Sequence, residues 1–225
     1  MIEMIRKLPV RNRHILLITA IWVLFVLYPN PIKLALSIQR SISPPVKSYQ
    51  VQHLLSEAPT DPAALERYVL TTFPYQYDWV TYGMPWYFPS IEEALSQGTG
   101  DCKTRMIVLA SLFEAMVIPY RQSFSMSHFW VIYEGKVESA IEMEQNAFLL
   151  RAEDGSIIVQ VPRENREQII RNFRDGFWRA MPLHRKILLI GGPMTFMSAG
   201  VVLHFLRRKS AYQQLWSDDA KTLPV

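Results

Sequence analysis

Cysteine is almost absent from this chain of 225 residues, in which only Cys102 occurs. A single cysteine excludes an intrachain disulfide and any zinc site built from several cysteines. Histidines at metal-ligand spacing are missing too, since His14, His53, His184 and His204 are scattered along the chain. We therefore expect no metal and no cofactor, and the lone thiol of Cys102 is the feature that needs an explanation.

Glycine-rich phosphate loops and basic patches for nucleic acids are also missing. Gly98 and Gly100 lack the rest of a nucleotide-binding fingerprint. The net charge of +4 comes from lysines and arginines that lie mainly beside apolar runs, without interleaved aromatic residues. We therefore expect no nucleic-acid partner and interpret the positive charge as a feature of a membrane protein.

Two long apolar runs are present. The first, Ile15 to Tyr28, follows a basic segment and predicts a membrane anchor, with a cleaved signal peptide as the alternative. The second, Ile187 to Leu206, has no charged residue and the length of a span; a buried core helix is its alternative. The basic residues before the first run outnumber those after it, so the positive-inside rule predicts a cytoplasmic N-terminus. Two spans then place both termini in the cytoplasm and the segment between them outside it.

The runs divide the chain into seven expected segments. These are a basic tail (1–13), a transmembrane anchor (14–38), a linker (39–59), a folded domain (60–161), a juxtamembrane amphipathic helix (162–185), a second transmembrane helix (186–207) and a C-terminal tail (208–225). The basic and aromatic composition of the juxtamembrane helix suits the membrane interface, and packing on the core of the domain suits it equally well.

The pattern inside the domain changes from helices to strands. Asp61 and Pro62 begin one helix, Ser90 with Glu93 forms a capping box before a second, and Cys102 begins a third. Strand-like runs follow at 120–124, 129–133, 137–141, 148–151 and 156–161, the last two joined by an Asp154-Gly155 turn. This order predicts an α+β domain in which N-terminal helices pack on an antiparallel sheet.

Cys102 lies at a helix N-terminus, where unpaired backbone N–H groups and the helix dipole favour a thiolate. The Cys102 N–H is also placed to donate to a developing oxyanion. A buried structural cysteine is the alternative. His128, at the start of a strand, supplies the base that thiol catalysis needs, although a strand-end histidine without catalytic role has the same pattern.

A third polar group must fix the tautomer of the imidazole. Glu142, one strand later, is the candidate we select, and Glu144, Glu138 and Asn146 are alternatives. An aromatic stretch from 73 to 88 suits either a cleft wall or a loop that its rings hold to the core. The candidates for substrate binding are Trp79, Trp86, Tyr87 and Trp130.

These residues together resemble the transglutaminase-like superfamily, a branch of the papain-like cysteine-enzyme architecture. In that family a Gly-Asp-Cys turn opens a helix, as Gly100 to Cys102 does here, and a His-x-Trp-Val strand follows, as at His128 to Val131. An acidic residue beyond the histidine corresponds to Glu142. This chain departs from the family pattern at Lys103, where an acidic residue is frequent, and at Glu142, where aspartate is usual.

The resemblance implies a transglutaminase-like domain between two membrane helices, with acyl transfer at an amide. Cys102 would be the nucleophile, His128 the proton carrier and Glu142 the orienting acid. Water as acceptor would make a peptidase and an amine a cross-linking enzyme, and the resemblance to bacterial members favours the peptidase. It also implies the bacterial inner membrane, a protein or peptide substrate and room for a membrane-protein partner. A catalytically inactive, membrane-tethered binding or assembly module with the same fold is the alternative.

Overall fold

The computed structural model describes residues 10–125, 127–151, 156–161, 163 and 166–201, with side chains from residue 13 onward. The chain separates into two units. One lies within residues 1–29 and 182–225, and the other is Asn30–Met181. The second unit contains all the candidate catalytic residues.

The first unit contains helix α1 (Val10–Leu27) and a C-terminal helix formed by residues 183–201. Trp22 joins them, because its Nε1 donates to the carbonyl oxygen of Leu188 at 2.9 Å. A Cβ atom on Gly192 would lie 2.0 Å from the indole nitrogen of Trp22. Glycine is therefore needed at 192 for the two helices to approach this closely.

Within the described ranges, no helix taken alone has the length and apolar character to cross a membrane, and only Arg13–Leu27 and Pro31–Ile42 taken together meet that requirement. The anchor expected at 14–38 is not one helix. Helix α1 ends at Leu27, and helix α2 (Pro31–Ile42) begins after a break at which Asn30 caps the new helix. Residues 202–207 of the second expected span lie outside the described residues, as do residues 1–9 of the basic tail and the tail 208–225.

The second unit holds the α+β fold. Its elements after α2 are a 3₁₀ helix (Ser48–Leu54), α3 (Pro62–Thr72), α4 (Asp78–Thr81), α5 (Ile91–Gln97), α6 (Cys102–Ala115), β1 (Arg121–Phe124), β2 (Phe129–Ile132), a 3₁₀ turn (Glu144–Asn146), β3 (Leu149–Arg151), β4 (Ile157–Val159) and α7 (Arg166–Phe173), which continues as a π-helical turn (Arg174–Arg179). The prediction of helices first and strands after is confirmed.

Helix α6 is the centre of the core. It contacts the first 3₁₀ helix, α3, α5 and β2, and its apolar residues are buried on all sides: Met106, Ile107, Val108, Leu109, Ala110, Leu112 and Phe113. A helix that is apolar all round belongs in a protein interior. Val51, in the 3₁₀ helix, is fully buried in the same core. The interpretation of 39–59 as a linker is therefore wrong, and the domain begins before residue 60.

The four strands form one antiparallel sheet in the order β2-β1-β3-β4. In its register Ser123 lies between Trp130 and Leu150. The prediction of an antiparallel sheet is confirmed, but the strand expected at 137–141 is not formed, and Val137 is 88% exposed. Residues 137–143 instead make turns that carry Glu142 back towards the sheet. The expected Asp154-Gly155 turn lies outside the described residues.

Short-range sequence signals set the ends of two helices. The Asp61 carboxylate accepts a hydrogen bond from the Ala64 backbone N–H at 2.7 Å at the start of α3. Ser90 and Glu93 form both hydrogen bonds of a capping box at the start of α5. These caps satisfy backbone N–H groups that the first turn of a helix leaves without partners, so both helix starts follow the sequence prediction.

Helix α7, expected at 162–185, is shorter than predicted and has apolar residues on two sides. Phe177 stacks on Trp86 with 4.9 Å between the ring centroids, and the Phe173 ring is tilted against Trp86 at 5.4 Å. These contacts fit packing on the domain, one of the two arrangements expected for this helix; a position at the membrane interface stays a prediction. Ile170 and Trp178, however, are 66% and 41% exposed. The aromatic contacts use only part of the apolar surface of the helix.

A close approach at Gly100 fixes the turn that leads into α6. Residues 74–76 pair with this turn, because the Gln76 N–H donates to Gly100 and the Gly100 N–H donates to Pro74. A Cβ atom at position 100 would lie 2.2 Å from Oγ1 of Thr104, which is fully buried. The turn before Cys102 therefore requires glycine for steric reasons.

We predict that Gly100→Ala lowers the free energy of unfolding by about 1–3 kcal/mol, the usual cost of overpacking, because the buried Thr104 has no room to move. Urea unfolding followed by tryptophan fluorescence measures it. Gly176→Ala is the matched control, since a Cβ atom there meets only Tyr77 at an ordinary 3.4 Å. Equal effects of the two substitutions would contradict the steric account.

Candidate active site

Cys102 is the first residue of α6, as the sequence predicts, and its side chain is nearly buried, at 9% exposure. The first residues of a helix have backbone N–H groups without intrahelical acceptors. The carboxylate of Asp101 caps the helix by accepting a hydrogen bond from the Lys103 N–H at 2.9 Å. The Cys102 N–H and the positive end of the helix dipole thus lie beside the sulfur.

A buried ionic cluster holds the turn from the inside. The Lys103 ammonium pairs with Asp101 and, at 2.8 Å, with Asp78. Burial lowers the pKa of Lys103, but the two carboxylates outweigh it and raise that pKa well above its ordinary value. Burial, together with the charge of Asp101, raises the pKa of Asp78. Lys103 therefore neutralises acidic groups beside the Cys102 turn.

His128 is placed by the hairpin between β1 and β2. The Ser125 N–H donates to the carbonyl of His128 at 2.8 Å, and the Ser125 hydroxyl accepts from the His128 N–H at 3.1 Å. Ser125 is buried, so the hydrogen bonds that hold this turn are shielded from solvent. The imidazole stacks on the ring of Trp130 with 5.9 Å between the centroids.

The His128 imidazole lies between the thiol of Cys102 and the carboxylate of Glu142. Its Nε2 is 2.8 Å from Oε1 of Glu142. Burial lowers the pKa of His128, but hydrogen bonds with Cys102 and Glu142 outweigh that effect and raise it to about 10. The ring is therefore protonated at neutral pH, which is the form that stabilises a thiolate.

The carboxylate of Glu142 is held on its other side by Lys136. Lys136 Nζ is 3.1 Å from Oε2 of Glu142 and also pairs with Glu66, which accepts a hydrogen bond from the Tyr133 hydroxyl at 2.7 Å. Burial raises the pKa of Glu142, but the His128 hydrogen bond and the Lys136 charge outweigh it and lower that pKa. Charges of alternating sign thus run from the imidazole to Glu66.

The other candidates for the third group have different partners. Glu144 forms a two-point ion pair with Arg121, at 3.0 and 3.1 Å. The Asn146 amide donates to the carbonyl of Ala140, and Glu138 is exposed. Of the four candidates, the structure brings Glu142 to His128.

A cavity of about 310 Å³ opens beside the three residues. Its lining includes Cys102, His128 and Glu142 together with Tyr75, Arg105 and a set of apolar side chains. Trp130 also lines it, and its role in substrate binding stays a prediction. Access to the buried sulfur is therefore through this cavity.

The structure does not bring Trp79, Trp86 and Tyr87 to the cavity. Trp79 is buried against Phe177, and Trp86 stacks on the same ring. Tyr87 is fully buried, and its hydroxyl donates to Glu93 at 2.8 Å. The interpretation of the aromatic stretch as a loop held to the core describes Trp79 and Tyr87, whereas Trp86 is 49% exposed. The aromatic residues on the cavity are instead Tyr75, Phe129 and Trp130.

No match to this chain is found among protein-family models, curated proteins or solved structures. Its function is therefore inferred from the geometry of the residues themselves. Within the described ranges, no three His, Cys, Asp or Glu side chains are grouped so that they could hold a metal ion.

Three residues of the site escaped the sequence analysis. Lys136 belongs to a Glu-Gly-Lys turn, and Glu66 precedes Arg67 on a helix, so nothing in the pattern distinguishes either from a solvated charge. Tyr75 was one aromatic residue among many. Burial of the Tyr75 hydroxyl raises its pKa, and the charges of Cys102 and Asp101 raise that pKa further. The hydroxyl is therefore a hydrogen-bond donor at neutral pH. Only the fold reveals that all three lie at one site.

We predict that Lys136→Met lowers the free energy of unfolding by about 3 kcal/mol at pH 7, because Glu66 and Glu142 lose the ammonium between them. The loss should be smaller at pH 5. Without Lys136 the pKa of Glu142 rises, so in the variant falling pH protonates the carboxylate and removes the repulsion. Urea unfolding at the two pH values measures both effects.

Arg121→Met is the control for this prediction. It breaks a half-exposed ion pair with Glu144, so it should cost less than about 1 kcal/mol at either pH. A Lys136→Met loss as small as the control, or one that does not shrink at pH 5, would show that Lys136 does not balance the two carboxylates.

Proposed function

We propose that this chain is a membrane-anchored thiol enzyme of the transglutaminase-like type, which acts on amides through Cys102, His128 and Glu142. One observation carries the proposal: the thiol at the start of α6 and the carboxylate of Glu142 share one imidazole beside a cavity. Thiol catalysis requires a nucleophile, a base within hydrogen-bond reach and a group that orients the base. An α+β unit with a helix of this kind packed on an antiparallel sheet is the architecture that the resemblance implies.

The proposed reaction begins with the thiolate and the imidazolium. The sulfur of Cys102 bonds to the amide carbonyl carbon, and the carbonyl oxygen becomes an oxyanion. As the carbon–nitrogen bond breaks, His128 gives its proton to the leaving amine, and a thioester remains. Water that loses a proton to His128 then attacks the thioester, releasing the carboxylic acid and restoring the thiolate and the imidazolium. With an amine in place of water, the same step forms a new amide.

Two groups at the site suit the oxyanion. The Cys102 N–H lies in the first turn of α6, where intrahelical acceptors are absent. The Tyr75 hydroxyl lies on the cavity and keeps its proton at neutral pH. Donors already in place where charge develops are usually the largest single contribution to such catalysis.

The membrane part of the proposal comes from the chain's composition. Apolar runs with basic flanks suggest an inner-membrane protein with both termini in the cytoplasm and the catalytic unit outside. A protein or peptide outside the cytoplasm, free or part of a membrane protein, would then be the substrate, and hydrolysis is the reaction we favour.

We predict that Cys102 in the full chain, in detergent at pH 6, reacts with iodoacetamide at least about tenfold faster than free cysteine, which is almost all thiol at that pH. His128→Ala should remove the advantage, because the imidazolium that stabilises the thiolate is gone. Mass spectrometry of the alkylated chain gives the rates.

His53→Ala is the matched control, since His53 is exposed and lies outside the cavity lining. It should leave the alkylation rate unchanged. A folded chain whose Cys102 reacts no faster than free cysteine would argue against the enzyme and in favour of the inactive binding or assembly module.

The membrane orientation has its own test. With Cys102→Ser as background, Val117→Cys gives a single thiol at a position that is 88% exposed. We expect a membrane-impermeant maleimide to label it in intact spheroplasts, whereas Met4→Cys, in the basic tail, should be labelled only after lysis. The reverse pattern would place the catalytic unit in the cytoplasm.

A further inference from the structure

The cavity beside Cys102 is apolar in its depth. Five of its lining residues are at most 4% exposed and form its floor: Val69, Met106, Leu109, Trp130 and Val131. Leu70 and Tyr75, at 43% and 49% exposure, are the lining residues that reach the surface. A group that enters past Leu70 and Tyr75 therefore meets hydrocarbon.

The acidic residues on the lining are already neutralised. Glu66 accepts a hydrogen bond from the Tyr133 hydroxyl and forms an ion pair with Lys136, whose side chain is 4% exposed. Glu142 pairs with the same lysine and with His128. Neither carboxylate is left to receive a cationic substrate.

The basic residue on the lining is occupied as well. Arg105 donates from Nε to the carbonyl of Phe73 at 2.9 Å and from its guanidinium to the carbonyl of Leu70 at 3.3 Å. Its guanidinium also lies over the Tyr75 ring, 5.2 Å from the centroid. Arg105 therefore stabilises the backbone at Leu70 and Phe73, and it is poorly placed to bind an anionic substrate.

The loss of water on entry makes this lining selective for the type of side chain that it accepts. A charged side chain that enters the cavity loses water and finds both carboxylates paired and Arg105 occupied, whereas an apolar side chain gains by leaving water. The volume of about 310 Å³ is at the small end of ligand sites, so it suits one side chain better than a large ligand.

Resting on the thiol chemistry proposed above, we infer that the substrates are peptides with an aliphatic or aromatic side chain at, or next to, the residue whose carbonyl Cys102 attacks. The apolar side chain fills the floor of the cavity and holds the adjacent carbonyl against the sulfur.

Acetyl-dipeptidyl chloromethyl ketones test this specificity. In each probe one residue is leucine, phenylalanine, glutamine, lysine or aspartate and the other is alanine, and both positions are varied in turn. The Cys102 sulfur bonds to the methylene carbon, and chloride leaves. We expect the leucine or phenylalanine probes, at one of the two positions, to alkylate the full chain at least about tenfold faster than the polar ones, as is usual for apolar pockets.

Leu70→Glu places a carboxylate at the mouth of the cavity. It should lower the rate with the leucine probe and raise the rate with the lysine probe, so that their ratio falls at least about tenfold. Thr72→Glu adds the same charge to the same helix, at an exposed position outside the cavity lining, and should leave the ratio as in the original chain.

Iodoacetamide carries no side chain, so its alkylation rate tests the thiol chemistry separately from the apolar specificity. Rapid iodoacetamide alkylation with equal rates for all peptide probes, or with a ratio that Leu70→Glu does not change, would overturn the apolar specificity and leave the thiol enzyme standing. If iodoacetamide alkylation is no faster than for free cysteine, the thiol enzyme fails, and the specificity fails with it.

Discussion

The site depends on one interaction, the hydrogen bond between His128 Nε2 and Glu142 at 2.8 Å. It fixes the orientation of a ring that lines the same cavity as Cys102, and it favours the charged imidazole. The three residues come from the start of a helix, the start of a strand and an irregular loop. Their meeting therefore depends on the packing of α6 against the sheet, and it makes a buried thiol a candidate nucleophile.

Buried charges support that geometry from two sides. Lys103 lies among carboxylates beneath the Cys102 turn, and Lys136 lies between Glu66 and Glu142 behind the histidine. Such pairs contribute little net stability compared with apolar packing, yet removing one partner leaves an uncompensated charge. These pairs therefore act mainly on geometry. A carboxylate that moved away from its lysine would leave an uncompensated buried charge. A turn and a loop, the least regular parts of the site, are the parts fixed in this way.

Local signals in the sequence were sufficient for some features and not for others. The Ser90 capping box and the N-terminal position of Cys102 depend on neighbouring residues, so they could be predicted. The loop at 137–143 could not, because Val137 to Ile141 has a strand-like composition, while the contacts of Lys136 and Glu142 hold it as turns. Trp79, Trp86 and Tyr87 illustrate the same limit: aromatic residues pack in cores and in clefts, and only tertiary contacts decide between them.

The protonation of His128 is the most direct test of the account. In the full chain with isotope-labelled histidine, NMR shifts of the ring follow its titration, and the signal that disappears in His128→Gln identifies it among the five histidines. The account predicts a pKa of about 10 for His128, because Cys102 and Glu142 hold the charged ring. A titration near 6.5, the value of an unperturbed histidine, would contradict it.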